Sequence, residues 1–374
     1  MATYTAIDAL SVDMRLDFYP LWKGTPTTQT ATQLIIDVDV DLGFSEHLTG
    51  TGLAYDQGHP VAGTITSLAE HELFQGVNYI DATISGISID ALQLFTWASA
   101  KDNASALQAM FGGNDVVTGS AGNDYLDALG GHDVISGGAG SDTIVGGDGN
   151  DHLYGQSASG GSDGTDSISG GNGSDYLQGN AGNDTLDGGA GSDRLNGGAD
   201  NDSIMGGAGS DTVNGNRGND SITGDDGNDS LRGGQGDDSI SGGTGDDILS
   251  GDKGIDALTG GAGADTFRFV AGDAAVVSGT TDTITDYAHG VDHVSVGFTP
   301  AALLTGNAQT SLATAQTYAQ SLFDSHGGDH EVAAIQVGSD AYLFFAGNAG
   351  NTVDSAILLQ GVSASTISAA DFVA

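Results

Sequence analysis

A nine-residue repeat fills the middle of the chain, from Met110 to Arg268, and it leaves few folds open. Its regular form is Gly-Gly-x-Gly-x-Asp-x-U-x, where U is a large apolar residue, as in 137–145 (GGAGSDTIV) and 242–250 (GGTGDDILS). Seventeen units align, and the eighth position is Val, Ile, Leu or Phe in each. In a chain with 38% apolar residues, this agreement arises by chance roughly once in 10⁷ trials. The repeat is therefore a structural unit.

The residue types of one unit predict half a coil. Paired glycines allow a tight turn with positive φ. The last three residues are extended, and only the eighth position faces inward. A single unit cannot hide its apolar residue, so several coils must stack to form a thin, continuous core. The sequence therefore predicts a fold dominated by β structure.

The sixth position is Asp in every unit, and these carboxylates are the candidate metal ligands. Calcium prefers six to eight hard oxygens at about 2.3–2.6 Å, which carboxylates and uncovered backbone carbonyls can supply. An EF-hand needs a Glu to close its loop, and all four Glu residues lie outside the repeats. The candidate ligands are Asp115, Asp124, Asp133, Asp142, Asp151, Asp166, Asp175, Asp184, Asp193, Asp202, Asp211, Asp220, Asp229, Asp238, Asp247, Asp256 and Asp265.

These motifs resemble the RTX (repeats-in-toxin) family, also called hemolysin-type calcium-binding repeats. The resemblance covers residues 110–268 and implies a right-handed parallel β-roll, with calcium between each turn and the next on the same edge. Pairing of unit n with unit n+2 gives up to fifteen sites. We expect the insertion near Ser157–Ser162 to spoil one or two of them. Asp200, which replaces a repeat Gly, puts its own turn in question, and the first and third units lack the leading Gly pair.

The charge of the chain makes calcium a condition for folding. Fifty acidic residues oppose eight basic ones, for a formal net charge of −42. Such a chain repels nucleic acid, anionic membranes and itself. Fifteen calcium ions would add about +30 and leave roughly −12, an ordinary value for a soluble protein. Without calcium, we expect residues 110–268 to stay a disordered, Gly-rich segment.

Residues 269–374 are expected to cap the roll. Residues 265–298 and the closing ISAADFVA resemble the cap and the C-terminal export signal of RTX proteins that leave by type I secretion. The alternative is that 371–374 is an ordinary terminus. The N-terminus has no secretory signal peptide, and the chain has no cysteine. Periodicity predicts a helix at Ser311–Phe323 and strands at Val332–Val337, Ala341–Phe345 and Ala356–Leu359.

Residues 1–109 are expected to form a small β-rich domain of unknown function that covers the first coil. Alternating runs predict strands at Gln33–Phe44, Gly63–Leu68 and Val77–Ile89. Short helical turns are expected at Leu92–Ala98 and Ser105–Phe111. A stretch within 50–68 weakly resembles the regions that precede the roll in uncharacterised RTX proteins.

No motif in the chain makes a convincing catalytic centre. His71-Glu72 lacks the second His of a zinc protease. Gly160–Gly164 formally matches the lipase elbow, but it lies in a Gly/Ser-rich insertion. The pairs His289/His293 and His326/His330 have metal-compatible spacing, although surface histidines are the simpler interpretation. We therefore predict no catalytic residues, and the sequence leans away from an enzyme without deciding the question.

Two functional hypotheses remain. The first is a secreted, calcium-folded structural protein of the cell surface or extracellular matrix that assembles into homo-oligomers or polymers. The second is an extracellular enzyme or binding protein whose active surface lies in 1–109, with the roll as its secretion module. Both name calcium ions and the type I secretion machinery as partners, and neither involves nucleic acid or membrane insertion. A convergent pocket of acids or histidines in 1–109 would favour the second hypothesis.

Overall fold

The computed structural model describes residues 113–119, 122–156, 164–270, 281–326, 330–346 and 352–373, and the backbone of six strands before them. The chain divides into two compact units, Met1–Gly179 and Asn180–Ala374. Within the described residues, no helix is both long and apolar enough to cross a membrane.

Six strands precede the repeats and form an antiparallel sheet. Their order is β2-β3-β4-β5-β6-β1, and β1 then pairs in parallel with β7, the first repeat strand, with Thr3 opposite Val116. The strands are β1 (Thr3–Ala6), β2 (Pro20–Leu21), β3 (Gln33–Val38), β4 (Ser45–Asp56), β5 (His59–Phe74) and β6 (Val77–Asp90).

The strands predicted in this region are present with altered lengths. The first ends at Val38 rather than Phe44, and the second lies inside the longer β5. The third matches β6 closely. The helical turns expected at Leu92–Ala98 and Ser105–Phe111 lie outside the described residues. The domain boundary at residue 109 stays a prediction.

In Met1–Gly179 the first repeats form two parallel sheets, because successive units contribute their strands alternately to one sheet and to the other. One sheet has the order β7-β10-β12-β14, and the other has β8-β11-β13 with β9 beside β11. The strands are β7 (Val116–Thr118), β8 (Tyr125–Asp127), β9 (Gly130–Gly131), β10 (Val134–Gly138), β11 (Thr143–Gly149), β12 (His152–Gln156), β13 (Ser167–Asn172) and β14 (Tyr176–Ala181).

In Asn180–Ala374 the same pattern gives two parallel sheets. The even sheet is β16-β18-β20-β22-β24, and the odd sheet is β15-β17-β19-β21-β23. The strands are β15 (Thr185–Ala190), β16 (Arg194–Ala199), β17 (Ser203–Ala208), β18 (Thr212–Arg217), β19 (Ser221–Asp226), β20 (Ser230–Gln235), β21 (Ser239–Thr244), β22 (Ile248–Lys253), β23 (Ala257–Ala262) and β24 (Thr266–Arg268).

The core of the repeats is the column of position-eight side chains. From Val117 to Phe267, all seventeen are at most 2% exposed. Within each of the two units the strands pair in register, so that Leu153 lies opposite Leu177 and Leu231 lies opposite Leu249. The prediction of one inward residue per half-coil is confirmed, and the fold is a parallel β-solenoid of about eight turns.

The C-terminal residues extend both sheets and add a small layered cap. β25 (Asp282–Ile284) joins β23, β26 (His293–Ser295) joins β24, and β31 (Phe372–Val373) joins β26. Strand β30 (Ser355–Leu359) lies beside β25 and continues the sheet through β29 (Asp340–Phe345), β28 (Glu331–Val337) and β27 (Ala302–Thr305).

Helix α1 (Leu312–His326) packs on this sheet through Ala315, Ala319 and Phe323, all fully buried. The predicted helix and the three predicted strands are therefore confirmed. The helix extends three residues further than expected, and Phe323 rather than Leu322 lies deepest in its contact face.

Candidate metal centre

The position-six aspartates line the turns of the solenoid and are all buried, at 0–4% exposure. One carboxylate oxygen has a structural role. Oδ1 of Asp238, for example, accepts a hydrogen bond of 2.8 Å from the backbone N–H of Asp220, one coil earlier. The same bond recurs along the described repeats at 2.7–3.2 Å, and we call this row the carboxylate ladder.

The second oxygen, Oδ2, points into the turn. In nine of these aspartates it is buried and has no hydrogen-bond partner among the described residues. A buried carboxylate oxygen without a partner is costly, so this atom marks a place for a cation. The nine are Asp133, Asp151, Asp202, Asp211, Asp220, Asp229, Asp238, Asp247 and Asp265.

The position-one glycines show that other oxygens converge on the same place. A Cβ added to Gly224 would lie closer than 3.0 Å both to Oδ2 of Asp229 and to the carbonyl oxygen of Gly242 in the next coil. Gly242 has the same relation to Asp247 and Gly260. Each turn thus brings a carboxylate oxygen and a backbone carbonyl together around a space without a side chain. Such hard oxygens are the ligands that calcium prefers, so the residues present fit the ion.

Electrostatics lead to the same conclusion. Burial raises the pKa of all nine carboxyl groups, although the backbone hydrogen bond partly opposes this. The pKa reaches about 8 at Asp202 and about 7 at Asp133 and Asp238. For these three, neighbouring aspartates raise the pKa further. Carboxylates that are buried this close together repel one another when ionised. The fold therefore needs either protons or metal cations to offset their charge.

Three or more His, Cys, Asp or Glu side chains nowhere cluster closely enough to hold a metal within the described part of the chain. The geometry of the turns accounts for this finding. Each turn combines carboxylates with backbone carbonyl oxygens, and the carbonyls are not part of a side-chain cluster.

A second row of side chains runs along the outside of the turns, and sequence reasoning missed it. Position-five side chains accept the backbone N–H of the equivalent residue one coil later, as Asn219 Oδ1 does from Asp237 at 2.9 Å. Asn, Ser, Asp and His132 all serve as acceptors in this way. The row stops where position five becomes Ile255 and Ala264. The frequency of short polar residues at this position was the available signal.

Sequence reasoning also missed two members of the carboxylate ladder. Asp282 Oδ1 accepts the N–H of Asp256 at 3.0 Å, and Asp292 Oδ1 accepts that of Asp265 at 3.2 Å. Both are buried, and each precedes an apolar residue that continues the core. They follow their partners by 26 and 27 residues instead of 18, so a fixed period does not find them.

The irregular units keep the ladder intact. Bonds from Asp142 to Asp166 and from Asp151 to Asp175 cross the insertion, whose residues 157–163 lie outside the described part. Asp200 has a positive φ (75°), as the glycines at the same position do (φ 142° at Gly191 and 136° at Gly209), so the turn accepts a side chain there. Whether these units, or the first and third, bind calcium less well stays a prediction.

Comparison with known proteins agrees with this geometry. The family model for the RTX calcium-binding nonapeptide repeat, which describes four copies, matches seven overlapping segments that cover 111–158 and 160–273. These residues are RTX calcium-binding repeats. No curated protein sequence gives a significant match.

Two solved structures are similar to part of the chain. One is the solution structure of the R3 subunit of AlgE6, a mannuronan C5-epimerase of Azotobacter vinelandii. The match is 26% identical, covers 47% of this chain and 78% of that one, and has a TM-score of 0.28. The R2 subunit of the same enzyme is 27% identical over 46% of this chain and 89% of its own, with a TM-score of 0.24.

RTX repeats bind calcium, and this chain carries several of them, so multiple calcium ions are its cofactors. Of the histidines considered as metal ligands, His289 donates to or accepts from the buried Asp371 at 2.8 Å. His71 has no described side chain. The lipase-like segment at 160–164 lies almost entirely outside the described residues.

Proposed function

We propose that this chain is a secreted structural protein whose RTX region folds outside the cell when calcium fills its turns. The observation that carries the proposal is the row of buried aspartates whose Oδ2 atoms face a carbonyl across an open space. The cytosol holds too little calcium to fill weak extracellular-type sites, so the acidic chain would remain unfolded there.

We assign the metal ligands residue by residue. They are the seventeen position-six aspartates from Asp115 to Asp265, through Oδ2, together with the carbonyls of position-one glycines in the adjacent coil. Asp282 and Asp292 continue the same row into the cap. Bound calcium supplies the positive charge that lets these carboxylates be ionised and buried together. The chain itself supplies the register, because Oδ1 fixes each carboxylate on the previous coil.

The assignment is tested by a matched pair of neighbouring residues. Asp238→Asn and Asp237→Asn each remove one negative charge, and an amide oxygen can still accept the backbone hydrogen bond that each residue now accepts. Only Asp238 directs a buried Oδ2 into a turn. For a site of about 10⁻⁴ M in millimolar calcium, Asp238→Asn should cost about 1.4 kcal/mol of stability.

Circular dichroism during a calcium titration measures the effect. We expect the parent chain to lack β signal in chelator and to gain it cooperatively near millimolar calcium. Asp238→Asn should need more calcium, whereas Asp237→Asn should follow the parent. An unchanged β signal in excess chelator, or equal midpoints for the two variants, would contradict the assignment.

Secretion is supported by the resemblance of the C-terminal tail to type I export signals, and it has its own test. Deleting 363–374 should leave the protein inside a type I secretion host. The structure calls for a control, because Phe372 is buried and pairs with β26. The truncated protein is therefore purified from the cells and tested for calcium-induced folding. If it still folds, its retention reflects loss of the export signal and not loss of the fold. Normal extracellular yield of the truncated chain would refute the export proposal.

A further inference from the structure

The positive charges of Asn180–Ala374 lie on one face of the solenoid. Five Lys or Arg side chains are described in the whole chain, and all five project from the even sheet. The described strands of the odd sheet carry Asp187, Asp225 and Asp226 and no Lys or Arg. In a protein of net charge −42, this face is the exception. The five are Arg194, Arg217, Arg232, Lys253 and Arg268, and all are exposed.

These cations are also regularly spaced. Each of the five successive even strands, β16 to β24, carries one of them. Neighbouring strands are about 4.8 Å apart, so one positive charge recurs at about that interval along the axis of the solenoid. Four of the cations alternate between two rows. Arg217 and Lys253 share the position-three row with Gln235 between them, and Arg232 and Arg268 share the position-nine row.

A groove of about 240 Å³ runs between the two rows. Its lining contains Arg232 and Lys253 together with three amide side chains, those of Asn214, Asn216 and Gln235. Its one acid, Asp252, forms an ion pair with Arg232 and accepts a hydrogen bond from Ser250. The Arg232 side chain is nevertheless 60% exposed, so most of its guanidinium donors face the solvent.

From this arrangement we infer that the even face binds a linear acidic polysaccharide that lies along the solenoid axis. We call the groove that holds it the glycan groove (Asn214, Asn216, Arg232, Gln235, Lys253). Guanidinium and ammonium groups recognise carboxylate or sulfate oxygens. The amide side chains both donate and accept, which suits sugar hydroxyl groups. A face with one positive charge per coil matches a polymer with one negative charge per sugar.

Other polyanions fit this spacing less well. An extended peptide advances about 3.3–3.6 Å per residue with side chains on alternate sides, so its acidic groups fall out of step with the coils. In a second copy of this chain, the described odd-sheet strands from β15 to β23 offer three carboxylates, on two strands that are not adjacent in that sheet. Each strand of a nucleic acid duplex places a phosphate about every 3.4 Å, so its charges fall out of step with coils about 4.8 Å apart.

Binding of short acidic oligosaccharides to the full chain in millimolar calcium tests the inference. The probes are oligogalacturonate, which carries carboxylates, a heparin-derived oligosaccharide, which carries sulfates, and neutral dextran. We expect calorimetric binding to at least one acidic probe, weakened by added salt, and none to dextran. The probe that binds more tightly identifies the charged group.

The variants make the test specific to the groove. Arg232→Gln combined with Lys253→Gln should weaken binding about tenfold or more, because two charge-assisted contacts are lost. Ser241→Gln, at the matching repeat position on the odd sheet, should leave binding unchanged. Calcium-induced folding of each variant, followed by circular dichroism, should equal that of the parent.

Three results would overturn the inference. Equal binding by the double variant would show that calcium bridges the sugar elsewhere on the protein. Binding of poly-L-glutamate as tight as that of the sugars would show attraction by charge alone. Loss of self-association in the double variant without any sugar binding would assign the groove to a second copy of the chain.

Discussion

At the scale of the residue, the two oxygens of each repeat aspartate have separate tasks. Oδ1 of Asp229 accepts the N–H of Asp211 and holds the coils in register, while its Oδ2 is buried and faces the proposed metal site. An Asn could fulfil the first task and not the second. The invariance of Asp at position six in all seventeen units is thus explained by the second oxygen.

The raised pKa values of these carboxyl groups predict how calcium binding depends on pH. In the calcium-free fold the pKa lies at about 6 for Asp229 and Asp265 and at about 8 for Asp202, against about 3.9 in an unfolded chain. The folded state therefore holds these protons more tightly. Their contribution to the stability of the calcium-free fold is complete below about pH 4 and is lost as the pH rises through about 6 to 8.

Calcium binding has the opposite dependence, because the ion needs the deprotonated carboxylates. Folding starts from the unfolded chain, whose carboxylates are already ionised above about pH 5 because their pKa there is about 3.9. We therefore expect the same calcium midpoint of folding at about pH 8 and about pH 6, and a higher midpoint at about pH 4, where protons must be released on binding. Calcium titrations followed by circular dichroism at the three pH values measure the shift. A midpoint that already rises between about pH 8 and about pH 6 would show that a protonated, calcium-free fold precedes calcium binding.

At the scale of the element, position-one glycine is what lets one coil approach the next. Its φ is not positive at Gly224, so an alanine is allowed by the backbone there, and the obstacle is space alone. A Cβ would occupy the place where Oδ2 of Asp229 and the carbonyl of Gly242 converge. The proposed metal site therefore leaves no room for a side chain at this position.

Gly224→Ala should raise the calcium midpoint and lower the melting temperature, at a cost of about 1–3 kcal/mol. Gly113→Ala is the control, because a Cβ at Gly113 meets no atom of the described residues within 4 Å and the backbone there is not left-handed. Thermal unfolding in millimolar calcium compares the two. If both variants melt like the parent, the turn has more room than the structure shows.

Much of the structure of the repeat region could be predicted from the nine-residue period alone. The features that the period did not predict were missed for physical reasons. The strand positions, the buried column and the turn aspartates were all fixed by a phase of nine residues. Asp282 and Asp292 were not predicted as members of the carboxylate ladder, because the loops before them are longer than one unit, although they make the same hydrogen bonds. The glycan groove was not predicted, because it depends on which of the two sheets each unit joins, and the nine-residue period does not show this. Arg217 and Lys253 lie 36 positions apart in the sequence, yet they share one row across three strands.

At the scale of the whole molecule, the charge and the flanking regions are the basis for a prediction about assembly. Strand β1 lies beside the first repeat strand, and β25, β26 and β31 extend the sheets at the other terminus of the repeats. The two flanking regions differ in structure, so a contact between them would be head-to-tail. Contacts of that kind close into rings or continue as filaments.

We predict homo-oligomers or polymers in millimolar calcium, with contacts made chiefly by 1–109 and 269–374. Calcium lowers the repulsion between chains of formal charge −42, so chelator should return them to monomers. Light scattering at several protein concentrations, with and without calcium, tests this. A monomeric mass throughout, together with a hydrolytic activity, would favour the alternative in which 1–109 carries an active surface.

The direction of the carboxylate ladder gives the repeats two unlike ends. In its described bonds the N–H of an aspartate is accepted by a carboxylate that comes later in the chain, and Asp256 and Asp265 rely in this way on Asp282 and Asp292. Asp292 is held by its own loop, since its Oδ2 accepts the N–H of Ala288 at 2.7 Å. The position-five row runs the other way, with the acceptor on the earlier coil, as Asn219 accepts from Asp237. An inner coil therefore completes the neighbour on either side of it, and the last coil depends on the cap for the acceptors that a further coil would have supplied.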